Sequence, residues 1–281
     1  MSDGTERPKK ITPRLGAVQE TLLIPLYARA AESAAGRGLL HDPHAVRVAA
    51  SLDYDFGAAA GTGNAFGANL RTLVLDSWAR DFMARSPGGT VVELGAGLTT
   101  RFERIDDGRV HWLDVDLPDV IELRGRFFPD TGRRRALAAS VTDPVWTEHV
   151  RRLPSPYLLI AEAVLAFLPE DEVQRVFELA TERLPGSEFA VDTVGHELAA
   201  EQNDPKVLGR FSARVRWSTD EPYAPERWHP GVRLRSSVDF GRLPPAVGAA
   251  LRPEHRDALA AYGTRNPSRM RAYRVNRYGL G

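Results

Sequence analysis

Residues 90–101 read Thr90-Val91-Val92-Glu93-Leu94-Gly95-Ala96-Gly97-Leu98-Thr99-Thr100-Arg101, a short apolar run that breaks into Gly-x-Gly. The run has the length and valine/leucine content of a strand buried on both faces, and glycines without Cβ atoms let a ligand approach the backbone. In doubly wound sheets such a turn lies at the carboxyl end of the first strand, where nucleotides bind. A complete dinucleotide fingerprint has a third glycine near position 100, and Thr100 stands there instead. The next run, Val110-His111-Trp112-Leu113-Asp114-Val115-Asp116, ends in two acids. Asp116 follows Gly97 at about the twenty-residue spacing at which an acid meets ribose hydroxyls. The competing assignments are a helix cap before Leu117-Pro118-Asp119 for Asp116 and the same solvent-facing end for Asp114. Glycine turn and acid together favour an adenosine ligand, without separating S-adenosylmethionine from a nicotinamide dinucleotide.

Outward from this pair, short apolar runs alternate with helical patterns. Strands are expected at residues 90–94, 110–115, 135–139, 157–161 and 188–191. Val173, Val176, Phe177, Ala180 and Leu184 mark one face of the helix before the last of them. That alternation argues for right-handed βαβ units and a parallel sheet. Residues 195–230 are irregular, with Trp217, Tyr223 and Trp228 among prolines and charges, and two late runs at 232–240 and 270–278 suit an antiparallel edge. Upstream, Leu70, Leu73, Val74, Trp78 and Phe82 form a helix face that Ser86-Pro87-Gly88-Gly89 ends. Residues 21–35 have helical spacing, with Pro25 starting a second short helix, and Asp42 caps a helix whose first turn holds Pro43. Residues 57–67 read as a flexible glycine-alanine connection. The expected architecture is α/β, a doubly wound, mostly parallel sheet with an N-terminal helical lid and an antiparallel edge strand. It divides into a disordered tail at 1–16, a helical extension or lid at 17–88 and a cofactor-binding core at 89–281 with an insertion at about 195–230.

The chain of 281 residues is 43% hydrophobic and 26% charged, suited to one large α/β domain with additions. Lysine plus arginine and aspartate plus glutamate each number 37, so no net charge draws the molecule to nucleic acid or an anionic membrane. Cysteine is absent, which excludes disulfides, thiolate nucleophiles and sulfur-ligated zinc. Residues 1–14 are too polar for a secretory signal, and no run of about eighteen apolar residues occurs, so a cytoplasmic protein is expected. Arginine and alanine in excess of lysine and isoleucine suit a GC-rich bacterial genome. His41 and His44 flank Asp42-Pro43, where a helix cap is the simpler assignment, and no third ligand is evident, so no metal is expected. Arg124, Arg126, Arg133, Arg134 and Arg135 have only Phe127 and Phe128 as aromatic companions, so a solvated surface is expected rather than an RNA groove.

Four stretches decide between the two cofactors. Glu20-Thr21-Leu22-Leu23-Ile24-Pro25-Leu26-Tyr27-Ala28-Arg29-Ala30, the turn at 95–101, Trp112-Leu113-Asp114-Val115-Asp116-Leu117-Pro118 and Ala161-Glu162-Ala163-Val164-Leu165-Ala166-Phe167-Leu168 together resemble the leucine carboxyl methyltransferase superfamily. Within it the likeness is closest to the branch acting in polyketide pathways and extends over nearly the whole chain. Thr99 departs from the family's frequent aspartate, and Ala163 from a frequent glycine. The resemblance implies a class I methyltransferase fold, S-adenosylmethionine as cofactor, and Arg29, Arg71, Glu93, Gly95, Gly97, Asp116, Leu117, Ser140, Val141 and Glu162 as its binding residues. By position it implies Arg71 for the methionine carboxylate, with Arg29 as a second basic residue, Glu162 for the amino group, and Ser140 and Val141 for adenine. A guanidinium suits a carboxylate through two parallel donors, although the residues alone favour a solvated helix face for both arginines. Tyr27, His196 and Tyr223 are acceptor-site candidates, with core packing the alternative for the aromatics.

No catalytic residue is assigned and no general base is evident. The expected function is methyl transfer from S-adenosylmethionine to an oxygen of a small metabolite. A carboxylate acceptor is favoured because it is already ionised at neutral pH. Methylation of a hydroxyl or phenol, a nicotinamide-dependent oxidoreductase and a binding protein without turnover are the alternatives. Beyond the small-molecule acceptor, no nucleic acid, membrane or obligate protein partner is expected. Residues 21–35 are expected to close over the cofactor.

Overall fold

The computed structural model describes residues 10–36, 38–57, 65–204 and 208–281; most of the connection expected at 57–67 and residues 1–9 of the expected tail lie outside them. A 3-10 turn at Gln19–Leu22 leads into helix α1 (Leu23–Ala35), followed by α2 (Pro43–Ser51) and α3 (Ala65–Arg85). Pro25 falls in the first turn of α1, where its missing N–H breaks no helical bond. The Asp42 carboxylate accepts from the Ala45 N–H at 2.8 Å and caps α2 as expected.

Seven strands then form one sheet: β1 (Thr90–Leu94), β2 (His111–Asp116), β3 (Arg134–Ala138), β4 (Tyr157–Ala161), β5 (Glu188–Val194), β6 (Val232–Asp239) and β7 (Tyr273–Leu280). Their order is β3-β2-β1-β4-β5-β7-β6, with β1 to β5 mutually parallel and β7 antiparallel to both its neighbours. Between β1 and β4 the order reverses, which opens a crevice at the carboxyl ends of those strands. Helices α4 (Arg101–Ile105), α5 (Pro118–Arg124), α6 (Val145–Val150) and α7 (Glu170–Arg183) make the crossovers.

Strand alternation divides the core in two. Val91, Leu158, Ile160 and Ala190 face α3 and pack on its Val74, Leu75, Trp78 and Phe82. Val92, Leu159, Phe189 and Val191 face α7 and pack on Val173, Val176, Phe177 and Ala180. The expected extension at 17–88 therefore splits: α3 is one layer of the core, because its apolar residues cover the sheet, and the α1–α2 hairpin alone is additional. No helix among the described residues is long and apolar enough to cross a membrane.

Several expectations need correction. The tail is shorter than residues 1–16, because Ile11 exchanges backbone hydrogen bonds with Ser51 and Asp53 and the Gly16 N–H donates to Asp119. Between β6 and β7 lie helices the apolar pattern did not announce, α9 (Pro245–Ala250), α10 (Pro253–Arg265) and α11 (Pro267–Arg271), after α8 (His196–Ala200) in the irregular stretch. Helix α10 buries none of its residues, so it has no apolar face to read. Arg124 and Arg134 are not solvated but only 1% and 4% exposed. Asp114, expected near solvent, is equally buried and accepts from both guanidiniums at 2.8 Å. Arg134 also pairs with Glu103 and lies over the rings of Phe102 and Phe128. Arg126 and Arg135 do remain exposed.

Removing the shared anion leaves two buried cations short of a partner. Asp114→Ala should therefore lower stability by about 3–5 kcal/mol, read as a fall in denaturant midpoint at unchanged slope. A loss below about 1 kcal/mol would mean that water reaches both guanidiniums.

Candidate active site

The chain leaves β1 through Gly95, whose φ of +71° favours glycine and where a Cβ would meet Val164 Cγ2 at 2.3 Å. The Gly95 and Ala96 N–H groups both donate to the Val115 carbonyl, 2.8 and 3.1 Å away, which ties the turn to the end of β2. Gly97 has φ +49°, and its N–H donates to Asp116 Oδ2 at 2.6 Å; Asp116 Oδ1 accepts from the Leu117 N–H at 2.7 Å. Each carboxylate oxygen so keeps lone-pair capacity. Burial pushes this acid up to about 6, against the backbone donors and Arg124, which favour its charge. Beyond β3, the Ala139 N–H bonds the Asp116 carbonyl at 2.9 Å. That brings Ser140 and Val141 beside the acid, with the Val141 carbonyl accepting from Trp146 Nε1. Gly95, Gly97, Asp116, Leu117, Ser140 and Val141 thus meet at the ends of three adjacent strands.

Glu162 directly follows β4 on the other side of the crevice. Its Oε1 accepts from Arg71 Nε at 3.0 Å and Thr72 Oγ1 at 2.8 Å, and its Oε2 from Arg101. Burial opposes its charge, but Arg71, Arg101 and Arg29 outweigh burial and hold it well below the usual carboxylate range. Ala163 follows with φ +56°, a left-handed conformation that glycine adopts more readily than alanine. Its N–H is held by Asp192 at 2.7 Å. Arg71 also donates to the Tyr273 hydroxyl at 2.6 Å, and Tyr273 in turn donates to Asp192. Glu93, buried in β1, is bound by Arg101 and pushed up to about 6 by burial.

Arg29 lies in α1, 3% exposed, with Nε 3.2 Å from Asp42 and NH2 2.8 Å from the Leu98 carbonyl. Asp42 is shared: Thr100 donates to it, and Arg104 NH1 lies 3.0 Å away. Arg29 is consequently undersupplied with counter-charge, and burial together with Arg104 lowers it to about 10. Sequence reasoning missed Asp42 as a hub, and with it Asp76, Arg101, Arg104, Asp192 and Tyr273. The one local signal was Asp76, an acid among the apolar Val74, Leu75, Trp78 and Ala79.

The acceptor candidates scatter. Tyr27 is half-buried on α1 and stacks on Phe56 with centroids 5.6 Å apart. His196 stands just past β5 with its Nδ1 2.8 Å from Ser218 Oγ, and its side chain is 67% exposed. Tyr223 is 60% exposed on the stretch leading to β6, where the adjoining Pro222 carbonyl accepts from Tyr278.

Residues 23–181 match the leucine carboxyl methyltransferase family. The tetracenomycin polyketide synthesis O-methyltransferase TcmP of Streptomyces glaucescens is 34% identical over 80% of this chain and 83% of its own. An S-adenosyl-L-methionine-dependent methyltransferase, dpfgK of Gibberella zeae, is 28% identical over 86% of this chain and 90% of its own. The methyltransferase domain of bacterial CtHen1 has the same fold, with a TM-score of 0.51 at 14% identity over 75% of this chain and 99% of that one.

Because Asp42 joins α1, α2 and the glycine turn, Asp42→Ala should loosen the hairpin before the sheet. Amide exchange in residues 26–35 is expected to quicken on the order of a hundredfold, the counterpart of about 3 kcal/mol, with smaller changes in β1 and β4. Uniform acceleration throughout the chain would contradict a local latch.

Proposed function

The chain belongs to the leucine carboxyl methyltransferase family and is an S-adenosylmethionine-dependent methyltransferase, and from that premise we propose that it esterifies a carboxylate of a small metabolite, in polyketide or related secondary metabolism. The observation that carries the cofactor assignment is the pairing of the glycine turn with Asp116 across 2.6 Å. The residues suit S-adenosylmethionine on their own chemistry. Asp116 offers two oxygens with free lone pairs to the two ribose hydroxyls. Arg29, buried and short of counter-charge, is relieved by a carboxylate. Glu162, held ionised, receives an ammonium. Arg71 braces Glu162 and lends its charge to the same corner, while the turn at Ser140 and Val141 borders the adenine.

When bound, S-adenosylmethionine supplies an electrophilic methyl group on sulfur. The protein's part is to orient the acceptor oxygen toward that methyl and to exclude water. A carboxylate acceptor, ionised at neutral pH, asks no proton transfer of the site. Tyr273 is poorly placed as a base, since burial and Asp192 hold its hydroxyl protonated to well above its ordinary range. The family description and the TcmP relationship support a carboxylate on a polyketide-like acid; an enzyme that methylates a hydroxyl is the reading that the product test below separates.

Cofactor affinity should follow the ionisation of Asp116. Its raised value in the free protein, about 6, means that the carboxyl is protonated at pH 5 and charged at pH 7.5. Donors from a ribose favour the charged form, so binding releases a proton below pH 6 and weakens there, by roughly tenfold at pH 5 relative to pH 7.5. Glu93 titrates in the same range, so calorimetry on Asp116→Asn assigns the effect: that variant should bind weakly and without this pH step. An unchanged step would move the titration to Glu93.

The product distinguishes the acceptor. With methyl-labelled cofactor and candidate polyketide acids, a methyl ester gives up volatile labelled methanol in mild alkali, and turnover should be nearly flat between about pH 6.5 and 8.5. Label that stays fixed after alkali identifies an ether and overturns the carboxylate assignment.

A further inference from the structure

Arg101 opens α4 directly after the glycine turn, and no part of its side chain reaches water. Its Nε donates to Asp76 at 2.7 Å, NH1 to Glu93 and NH2 to Glu162. One planar guanidinium so fixes three carboxylates, on α3, β1 and at the end of β4. Those three differ in what else can reach them. The Glu162 side chain is 11% exposed, against 1% for Asp76 and 3% for Glu93. Arg104 donates to both Asp76 oxygens at 2.9 Å, so that acid, 1% exposed, is turned to its two arginines and away from the crevice opening. Glu162 is anchored at Oε1 by Arg71 and Thr72, whereas Oε2 is steered by Arg101.

We propose that Arg101 is a positioning residue for cofactor binding: it fixes Glu162 where the α-amino group of S-adenosylmethionine meets that carboxylate, while Asp76 and Glu93 hold Arg101 and do not touch the ligand. This rests on the cofactor reading given above and reassigns Glu93, a β1 residue expected to bind the cofactor, to a supporting part. A fork with three fixed directions is needed here. Lysine has its three donors on one nitrogen and cannot span acids that here meet three separate nitrogens of the fork.

The test separates positioning from mere stability by using two ligands. Calorimetry is carried out with S-adenosylhomocysteine and with its analogue bearing hydrogen in place of the α-amino group, on the parent protein, Arg101→Lys, Glu162→Gln and the double variant. Arg101→Lys should lose at least tenfold in affinity for S-adenosylhomocysteine and less than twofold for the deaminated analogue. The double variant should lose no more than Glu162→Gln alone. Equal losses for both ligands, or losses that add, would reduce Arg101 to a structural residue and overturn the proposal. Should Arg101→Lys lack a cooperative melt, Glu93→Gln keeps an acceptor for Arg101 while loosening it. That variant is expected to weaken S-adenosylhomocysteine severalfold and spare the analogue, and unchanged affinity for both would overturn the proposal equally. A parent protein that binds neither ligand would sink the cofactor reading itself, a result distinct from any of these.

Discussion

A guanidinium withdrawn from water has to find its counter-charge inside the protein, and around the carboxyl end of this sheet four arginines do so in one continuous chain. Arg29 reaches Asp42, Asp42 also holds Arg104, Arg104 shares Asp76 with Arg101, Arg101 meets Glu93 and Glu162, and Glu162 continues to Arg71 and so to Asp192. These members come from α1, α3, α4, the turn before α2 and three strands of the sheet. Each alone is costly to bury, and removing one strands its neighbours. The relative placement of hairpin, glycine turn and β4 end is thereby fixed together rather than element by element.

Nothing in that chain favours stability over a well-packed apolar core of equal volume, because the desolvation of two charges largely cancels their attraction. Its location gives the better account of its presence. The network surrounds the ends of β1 and β4, where the strand order reverses, and it leaves its charges unevenly satisfied. Glu162 is held ionised by the cations around it, and Arg29 has fewer anions than it needs. On the proposed reading a ligand carboxylate supplies the counter-charge Arg29 lacks, and the ionised Glu162 is an acceptor for the ammonium beside it. The left-handed Ala163 belongs to the same region: an unfavourable backbone conformation of order 1–2 kcal/mol persists where Asp192 grips its N–H on one side and Gly95 leaves room for Val164 on the other.

What could be read from the sequence was whatever is local or periodic. The glycine turn and Asp116 announce themselves by short-range spacing, and β1, β2, β4 and β5 by apolar runs, because those strands are covered on both faces, unlike the edge strand β3. The ion-pair chain was illegible for a definite reason. Asp76 and Arg101 are 25 residues apart, Arg101 and Glu162 are 61 apart, and Asp42 and Arg104 are 62 apart. Such pairs form only after the sheet order has brought their elements together, so each arginine by itself resembles an ordinary surface charge. Arg124 and Arg134 misled in the same way, and the resemblance to a family was needed to single out Arg71 and Glu162. Helix α10 was missed for the opposite reason, since a helix that fully buries no residue shows little periodicity.

The same bonding bears on how a ligand enters. Swinging the whole α1–α2 hairpin away would expose Leu23 and Leu26, now fully buried against Leu98 and Phe128, at about 1.5–3 kcal/mol each. It would also strip Asp42 of Arg104 and Thr100, because the acid travels with the hairpin while they stay with α4 and its N-cap. A rigid hairpin opening is therefore a rare excursion. The 3-10 turn at Gln19–Leu22 carries no fully buried side chain and no side-chain cap, yet it sits directly over the turn, with Leu22 Cβ 3.2 Å from where a Cβ on Gly97 would lie. Lifting that turn alone gives up the Tyr54–Glu20 hydrogen bond and the partial burial of Leu22 but leaves Leu23, Leu26 and the Asp42 contacts in place while baring the glycine backbone. If this segment closes over a ligand, these contacts make the 3-10 turn the part that moves and the hairpin behind it the support.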